Sequence, residues 1–225
     1  MSEFAAGPAG RIERVRALMA ERGYDAIVVR DEANLRWLTG VKGVFDYTFE
    51  FPHAAFITAD QCLFHTDSRY LNSFEENTSA GSPWVYDMDE GTIPGWVAGK
   101  IVANKCRVCA VEDDMQISFY FGIQRGLEDV SICASLPQMH GDIQRMRAVK
   151  DAEEIELMRH AQSITDAAFQ HMLGYIKPGM TEKQVRNELE NFMFANGADS
   201  LAFGSIVASG PNTANPHAVP SDRVI

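Results

Sequence analysis

The sequence has 225 residues, of which 46% are hydrophobic, 10% aromatic and 23% charged. These fractions are ordinary for a folded protein and exclude a disordered, collagen-like or coiled-coil chain. Lysine and arginine total 20 against 31 aspartates and glutamates, which gives a formal net charge of -11. An acidic surface repels the phosphates of nucleic acids and anionic lipids, so we expect neither as a partner. A small substrate is the better expectation.

Targeting signals and cysteines predict the compartment. The N-terminus has no positive region followed by an apolar core, which a secretory signal requires. No apolar run reaches the roughly 18 residues of a membrane span. The four cysteines, Cys62, Cys106, Cys109 and Cys133, are too few for a disulfide framework in a chain of this length. We expect a cytoplasmic protein with reduced thiols.

The first region, up to about residue 135, alternates helical and strand-like patterns. Helices are predicted over residues 9–22, directly after Asp31, and over 67–77, 93–103 and 114–127. Strands are predicted over residues 25–30, 53–59, 61–66, 84–88, 107–111 and 130–134. The second and third of these strands are separated by a single aspartate and indicate a hairpin. Alternation at this spacing predicts an α/β layer domain.

The second region is dominated by two predicted helices. Asp151 opens a long helix that ends before Pro178, and Thr181 opens a second one that ends at Gly197. In each case a glutamate or glutamine three residues after the cap completes a capping box. A strand is predicted over residues 201–209, and the rest of the chain is rich in loop-forming residues.

This second region contains too few strands to cover its helices. Two amphipathic helices need a sheet or further helices over their apolar stripes. A single strand also leaves its own N–H and C=O groups unpaired. The pattern therefore favours a domain truncated at Ile225. The alternative is that this segment packs onto the first domain as an appendage.

Two groups of residues have spacings typical of redox or metal sites. Cys106 and Cys109 form a C-x-x-C pair, but the pair brackets a β-branched stretch instead of opening a helix. Two further zinc ligands at similar spacing are missing, so we interpret the thiols as buried and structural. The acidic runs 87–90 and 112–114 lack the glycine and terminal glutamate of a calcium loop, and we interpret them as solvated turn charges.

Of the six histidines, His217 is the strongest candidate for a functional role. It lies in a loop after a predicted strand, between Pro216 and Pro220, with Asn212 and Asn215 near it in the sequence. Prolines on both sides restrict the backbone and hold the imidazole out from a rigid loop. Loops at strand ends are where functional sites commonly form. The sequence has no HExxH, G-x-S-x-G or glycine-rich phosphate motif.

Several stretches together resemble the creatinase, prolidase and aminopeptidase P family of "pita-bread" hydrolases, in the expected order over nearly the whole chain. They read RIERVRALMAERGYDAIVV, NLRWLTGVKG and LFHTDSRY in the first region, and MRAVKDAEEIELMRHAQSITDAAF, YIKPGMTEKQV and FGSIVASGPNTANPHAVPSD in the second. The last stretch is the most specific. Residues 44–53 (VFDYTFEFPH) are longer and more aromatic than is usual for this module.

The resemblance implies a fold and a division of the chain. Residues 1–140 are expected to form an α/β domain of the creatinase N-terminal type, with a mixed sheet and flanking helices. Residues 141–225 are expected to be the truncated start of an incomplete α+β pita-bread catalytic domain. In the complete family domain a curved antiparallel sheet carries helices on its outside.

The resemblance also implies a chemistry. Peptidase members of the family cleave the bond that precedes a proline, with two divalent metal ions (manganese, cobalt or zinc) held by two aspartates, a histidine and two glutamates. The family histidine before the first metal aspartate matches His217. Its implied catalytic role is to donate a hydrogen bond to the substrate near the scissile bond. All five metal ligands would lie beyond Ile225, so this chain is expected to hold no catalytic metal and to be inactive by itself.

Two alternatives remain open. Creatinase-type members hydrolyse a non-peptide C–N bond without metal and use the loop histidine as general acid and base, and His217 fits that chemistry equally well. The chain can instead be a non-catalytic oligomerisation or substrate-binding module, since N-terminal domains of the family help to build dimers. Phe45, Tyr47, Phe49 and Phe51 would then form an interface, unless alternate rings are buried. A homodimer is the expected assembly.

Overall fold

The computed structural model describes residues 7–41, 52–78, 80–88 and 91–225, which form two compact units that divide after Val149. In the first unit the helices are α1 Gly7–Arg22, α2 Glu32–Thr39, α3 Leu71–Asn77, α4 Ile93–Ala103, α5 Ile117–Glu128 and α6 Asp142–Ala148. The strands are β1 Ala26–Val29, β2 Ala54–Thr58, β3 Cys62–His65, β4 Val85–Asp87 and β5 Cys109–Val111.

The five strands form one mixed sheet in the order β4-β3-β2-β1-β5. The β1–β2 and β2–β3 pairs are antiparallel, which confirms the predicted hairpin, and the outer pairs β1–β5 and β3–β4 are parallel. All residues of β1 and β2 are buried, because helices cover both faces of the sheet. The predicted α/β domain with a mixed sheet and flanking helices is therefore confirmed.

Strand side chains alternate between two hydrophobic cores. Ile27 and Val29 of β1 pack into one core with residues of α1 and α2. Ala26 and Val28 pack into the other core with residues of α4 and α5. This division follows from the two-residue period of a strand, which sends successive side chains to opposite faces.

One strand prediction for the first unit needs correction, and one helix was not predicted. The strand predicted over 130–134 is wrong: these residues form turns and irregular chain after α5, and Val130 and Ile132 are exposed. The parallel bridges to the β5 region are made further on, by Ser135 and Gln138. Helix α6 was not predicted, and it belongs to the first compact unit.

Glu112 contradicts the interpretation of the acidic runs as solvated charges. Its side chain is buried and accepts hydrogen bonds from the backbone N–H groups of Arg30 (2.5 Å) and Asp31 (2.8 Å). It also accepts one from Nδ2 of Asn34 (2.7 Å). Burial raises the pKa of this carboxyl above its usual value, and the three hydrogen bonds oppose that shift. Glu112 thus links the end of β5 to the start of α2.

The C-x-x-C pair is structural, as predicted. Cys106 and Cys109 are both buried and belong to the core beneath α4 and α5. Burial raises the pKa of both thiols, so neither has the low pKa of a reactive cysteine. Cys62 is buried as well, with a pKa raised to about 11, and the thiol of Cys133 is exposed.

The second unit contains α7 Ala152–Tyr175, α8 Glu182–Ala195 and a short 3₁₀ helix, Gly210–Ala214. Both predicted capping boxes are present, at Asp151 and at Thr181. All residues of 150–225 are described, and within them the isolated bridge between Thr181 and Val224 is the one β pairing. The strand predicted over 201–209 is therefore wrong, because a strand needs a partner for its N–H and C=O groups and this segment pairs with none.

Several large apolar side chains of the second unit are exposed. Phe169 and Leu173 of α7 are 60% and 64% exposed, and Phe203 is 74% exposed. Phe203 lies outside both helices, and other apolar residues of α7, namely Ile164, Ala168 and Met172, are buried.

Candidate functional site

The candidate site is the loop that carries His217. The loop follows the 3₁₀ helix, and His217 lies in a turn with its side chain exposed to solvent. Oδ1 of Asn215 accepts a hydrogen bond from the backbone N–H of His217 (3.0 Å), and the carbonyl of Asn215 accepts one from the N–H of Ala218 (3.1 Å). Ala218 and Pro220 are buried. The backbone on both sides of the imidazole is therefore fixed, and the ring itself is available.

Both ends of this loop are bound to one carboxylate, that of Glu182. Oε1 accepts hydrogen bonds from the backbone N (2.7 Å) and Oγ (3.0 Å) of Ser209. Oε2 accepts hydrogen bonds from the backbone N (3.0 Å) and Oγ (2.6 Å) of Ser221. Nδ2 of Asn212 lies between the two oxygens, 3.1 Å from Oε1 and 3.2 Å from Oε2. We call these four residues the Glu182 cluster.

The environment of Glu182 strongly favours its ionised form. The residue has no exposed surface, and it is the first residue of α8, where the helix dipole stabilises negative charge. Its pKa is lowered to about 2, with the hydrogen bond from the Ser221 hydroxyl as the largest cause. The backbone N–H groups of Ser221 and Ser209 and the Asn212 amide add to the shift, and burial opposes it.

Backbone hydrogen bonds tie the end of the chain to the segment that opens α8. The donor and acceptor pairs are Glu182 N to Arg223 O (3.0 Å), Lys183 N to Ser221 O (3.2 Å), Ile225 N to Met180 O (2.8 Å) and Gly179 N to Ile225 O (3.0 Å). The guanidinium of Arg223 also lies against Gly210, which has a φ of +50°. A side chain at Gly210 would collide with that guanidinium.

Asn212 and Asn215, which lie near His217 in the sequence, bind different partners in the structure. The side chain of Asn215 accepts a hydrogen bond from the backbone N–H of His217, whereas the side chain of Asn212 donates to Glu182. Glu182 itself was missed, because its serine and asparagine donors lie 27 to 39 residues away in the chain. The only local signal was its place directly after the Thr181 cap.

The remaining expectations concern metal ligands, the aromatic residues of 45–51 and membrane-spanning helices. Among the described residues, no group of three or more histidines, cysteines, aspartates or glutamates is arranged to hold a metal ion, so we assign no metal ligand. The four aromatic residues at 45, 47, 49 and 51 lie outside the described residues. In the described ranges, none of the helices has the length and apolar character that crossing a membrane requires.

The chain thus combines a mixed-sheet α/β domain with a following helical unit whose loop carries His217. Two family models match these two regions in the same order. The model of the creatinase/prolidase N-terminal domain matches residues 11–149, and that of metallopeptidase family M24 matches residues 156–225. The chain belongs to the creatinase/prolidase family. Complete members of family M24 use divalent metal ions.

The individual relatives that this chain matches are longer than the chain itself. The chain is 30% identical to the uncharacterized peptidase YqhT of Bacillus subtilis, over 96% of this chain and 57% of that protein. Among solved structures, the Xaa-Pro dipeptidase from Bacillus anthracis matches with a TM-score of 0.82 and 31% identity, over 97% of this chain and 58% of that one. An X-Pro aminopeptidase from Thermotoga maritima matches with a TM-score of 0.78 and 28% identity, over 95% and 57%. The chain thus spans somewhat more than half the length of these relatives.

Proposed function

We propose that this chain is the N-terminal part of a Xaa-Pro peptidase, a dipeptidase or aminopeptidase that hydrolyses the peptide bond preceding a proline. The observation that carries the proposal is the similarity to the Bacillus anthracis Xaa-Pro dipeptidase, which extends over 97% of the chain. The metallopeptidase M24 model matches residues 156–225, which include the His217 loop. A prolyl imide has no N–H, so its recognition requires a dedicated site. The substrate is a small peptide.

His217 is the catalytic residue that this chain contributes. Its exposed imidazole stands on a backbone fixed by Asn215 and by the Glu182 cluster. From that position the ring donates a hydrogen bond to the substrate as negative charge develops on the scissile amide oxygen. Such a donor is effective because its geometry is set before the substrate arrives.

The metal centre of the complete enzyme comes from sequence outside these 225 residues. Two divalent ions, manganese, cobalt or zinc, supply an activated water and polarise the carbonyl of the substrate when they are bound. We expect residues 141–225 to be the start of the catalytic domain and residues 1–140 to be the N-terminal domain. The 225-residue chain alone is expected to hold no catalytic metal and to be inactive.

The assembly and location follow the same proposal. The complete protein is a cytoplasmic homodimer in which the N-terminal domain helps to form the dimer. The net charge of -11 disfavours nucleic acid and membrane partners.

The test is a turnover assay with the protein expressed from the complete reading frame that encodes this chain. With manganese present, Xaa-Pro dipeptides should be cleaved, and a chelator should abolish the cleavage. His217→Ala should lower kcat/KM by roughly 100-fold, while His160→Ala, at an exposed position on α7, should change it by less than about twofold.

Two results would contradict this proposal. Cleavage of Xaa-Pro substrates that does not depend on His217 would remove the assigned role of the loop. Hydrolysis of creatine without metal, together with no peptide cleavage, would favour the creatinase-type alternative.

A further inference from the structure

We propose that Glu182 is the positioning residue of the site: its carboxylate holds the 209–221 loop in the one arrangement that presents His217. This inference rests on the proposed function, because it assigns a role toward the histidine of that site. Glu182 does not contact the imidazole. It acts through the backbone that carries it.

A continuous series of hydrogen bonds connects the carboxylate to the histidine. Asn212 donates its side-chain N–H to Glu182, and its carbonyl accepts from the backbone N–H of Asn215 (3.0 Å). The Asn215 side chain then accepts from the backbone N–H of His217. On the other side of the loop, Ser221 returns to the same carboxylate only four residues after His217.

Ordering the 209–221 loop costs conformational entropy, and the hydrogen bonds of Glu182 to both loop ends offset part of that cost. Fixing the backbone of each residue costs about 1–2 kcal/mol, and the residues between Ser209 and Ser221 form no strand and only a single short 3₁₀ helix. An unanchored loop of this kind would sample many conformations, and His217 would occupy its productive position for only part of the time. The Glu182 cluster removes that freedom.

The chemistry of the cluster requires an ionised carboxylate at this position. Every group that faces Glu182 within the cluster is a donor: two backbone N–H groups, two hydroxyls and one amide N–H. An ionised carboxylate accepts at both oxygens, whereas a glutamine side chain has one acceptor oxygen and one NH₂ donor. Whichever way a glutamine is turned, its NH₂ faces the backbone N–H of Ser209 or of Ser221, which can only donate, although the hydroxyl of the same serine can turn to accept.

Capping of α8 does not account for the Glu182 side chain. Thr181 and Gln184 already form the reciprocal capping box, with Thr181 Oγ1 accepting from Gln184 N (3.2 Å) and Gln184 Oε1 accepting from Thr181 N (2.8 Å). The helix therefore has its own cap, and the hydrogen bonds of the Glu182 carboxylate go to the loop.

Amide hydrogen exchange and the imidazole NMR signal of the 225-residue chain test the inference directly. In Glu182→Gln, the amides of Ser209 and Ser221 should exchange roughly tenfold faster or more, and the His217 ring signal should move toward that of an unstructured peptide. The amide of Ala168, buried in α7, should keep its protection. Glu190→Gln is the matched control, since Glu190 lies on the same helix and pairs only loosely with Arg186 (3.9 Å).

Unchanged exchange and an unchanged His217 signal in a folded Glu182→Gln protein would overturn the inference. If that variant loses the protection of Ala168, Asn212→Ala decides by the same two measurements, because it removes one donor and leaves the carboxylate in place. Faster loop exchange with a shifted His217 signal supports the inference, and no change in either contradicts it.

Turnover of the protein from the complete reading frame separates this role from a merely structural one. Glu182→Gln should lower kcat/KM, and the double variant with His217→Ala should be no slower than His217→Ala alone, because both changes remove the same contribution. Additive losses would contradict positioning. The exchange and NMR results do not depend on turnover, so a failure of the proposed function remains distinguishable from a failure of this inference.

Discussion

Two glutamates, both buried, have opposite pKa shifts because their surroundings differ. Glu112 accepts three hydrogen bonds, and burial remains the larger influence, so its pKa is raised. Glu182 is bound by both hydroxyls and both backbone N–H groups of two serines and by an amide, and its pKa falls to about 2. The balance between burial and accepted hydrogen bonds thus sets the direction of the pKa shift of each carboxyl.

Removing the Glu112 carboxylate should destabilise the first unit. Glu112→Ala leaves the donors at Arg30, Asp31 and Asn34 without this acceptor. The free energy of unfolding, measured by urea denaturation, should fall by about 3 kcal/mol. Glu128→Ala, at an exposed position at the end of α5, serves as the control and should change it by less than about 0.5 kcal/mol. Equal effects of the two variants would show that the buried network contributes little.

The low pKa of Glu182 predicts how stability depends on pH. Since the folded-state pKa of about 2 lies below the ordinary value of 4.5, its contribution is complete above about pH 4.5 and is lost as the pH falls from there through 2. The stability difference between the wild type and Glu182→Gln should therefore be largest at pH 5 and above, and should shrink in acid. Urea titrations between pH 3 and 7 measure it, and a difference that grows as the pH falls would contradict the assignment.

At the scale of elements, α4 and α5 approach closely through glycines. A Cβ added at Gly126 of α5 would lie 2.7 Å from the Cβ of Ala98 on α4, whereas one added at Gly99 would meet nothing within 4 Å. Because alanine favours a helix over glycine by about 1 kcal/mol, these two positions separate helix propensity from helix packing.

Gly126→Ala and Gly99→Ala should therefore have opposite effects on the first unit. Gly99→Ala should raise the unfolding free energy by up to about 1 kcal/mol. Gly126→Ala should lower it by about 1 kcal/mol, since an overpacking cost of roughly 1–3 kcal/mol exceeds the gain in propensity. Thermal denaturation of both variants measures the difference, and stabilisation by Gly126→Ala would show that the two helices separate easily.

Helices with local caps were predictable from the sequence, and so were the strands β1 to β5, whereas composition alone did not show which strand-like segments lack a partner. The capping boxes at Asp151 and Thr181 depend on residues three apart, so the sequence located both helices. The predicted strands over 130–134 and 201–209 had suitable composition but pair with no neighbour. The Glu182 cluster was unpredictable for the same reason, because its members are brought together only by the fold.

At the scale of the whole molecule, the described residues form a mixed-sheet domain and a helical unit that carries His217. Both parts match the creatinase/prolidase family, and the chain spans 57–58% of the relatives compared above. The central claim is that this chain provides the histidine loop and that the metal centre lies in the remaining part of the family protein. The resemblance suggests His217 as a site residue from the sequence alone, whereas the hydrogen bonds that hold its loop are visible only in the structure.

The most direct test of that claim is a peptidase assay on the 225-residue chain itself, with Xaa-Pro dipeptides and added manganese, cobalt or zinc. We predict no metal-dependent cleavage by this chain, and chelator-sensitive cleavage by the protein from the complete reading frame under the same conditions. Turnover by the 225-residue chain alone that a chelator abolishes would contradict the account.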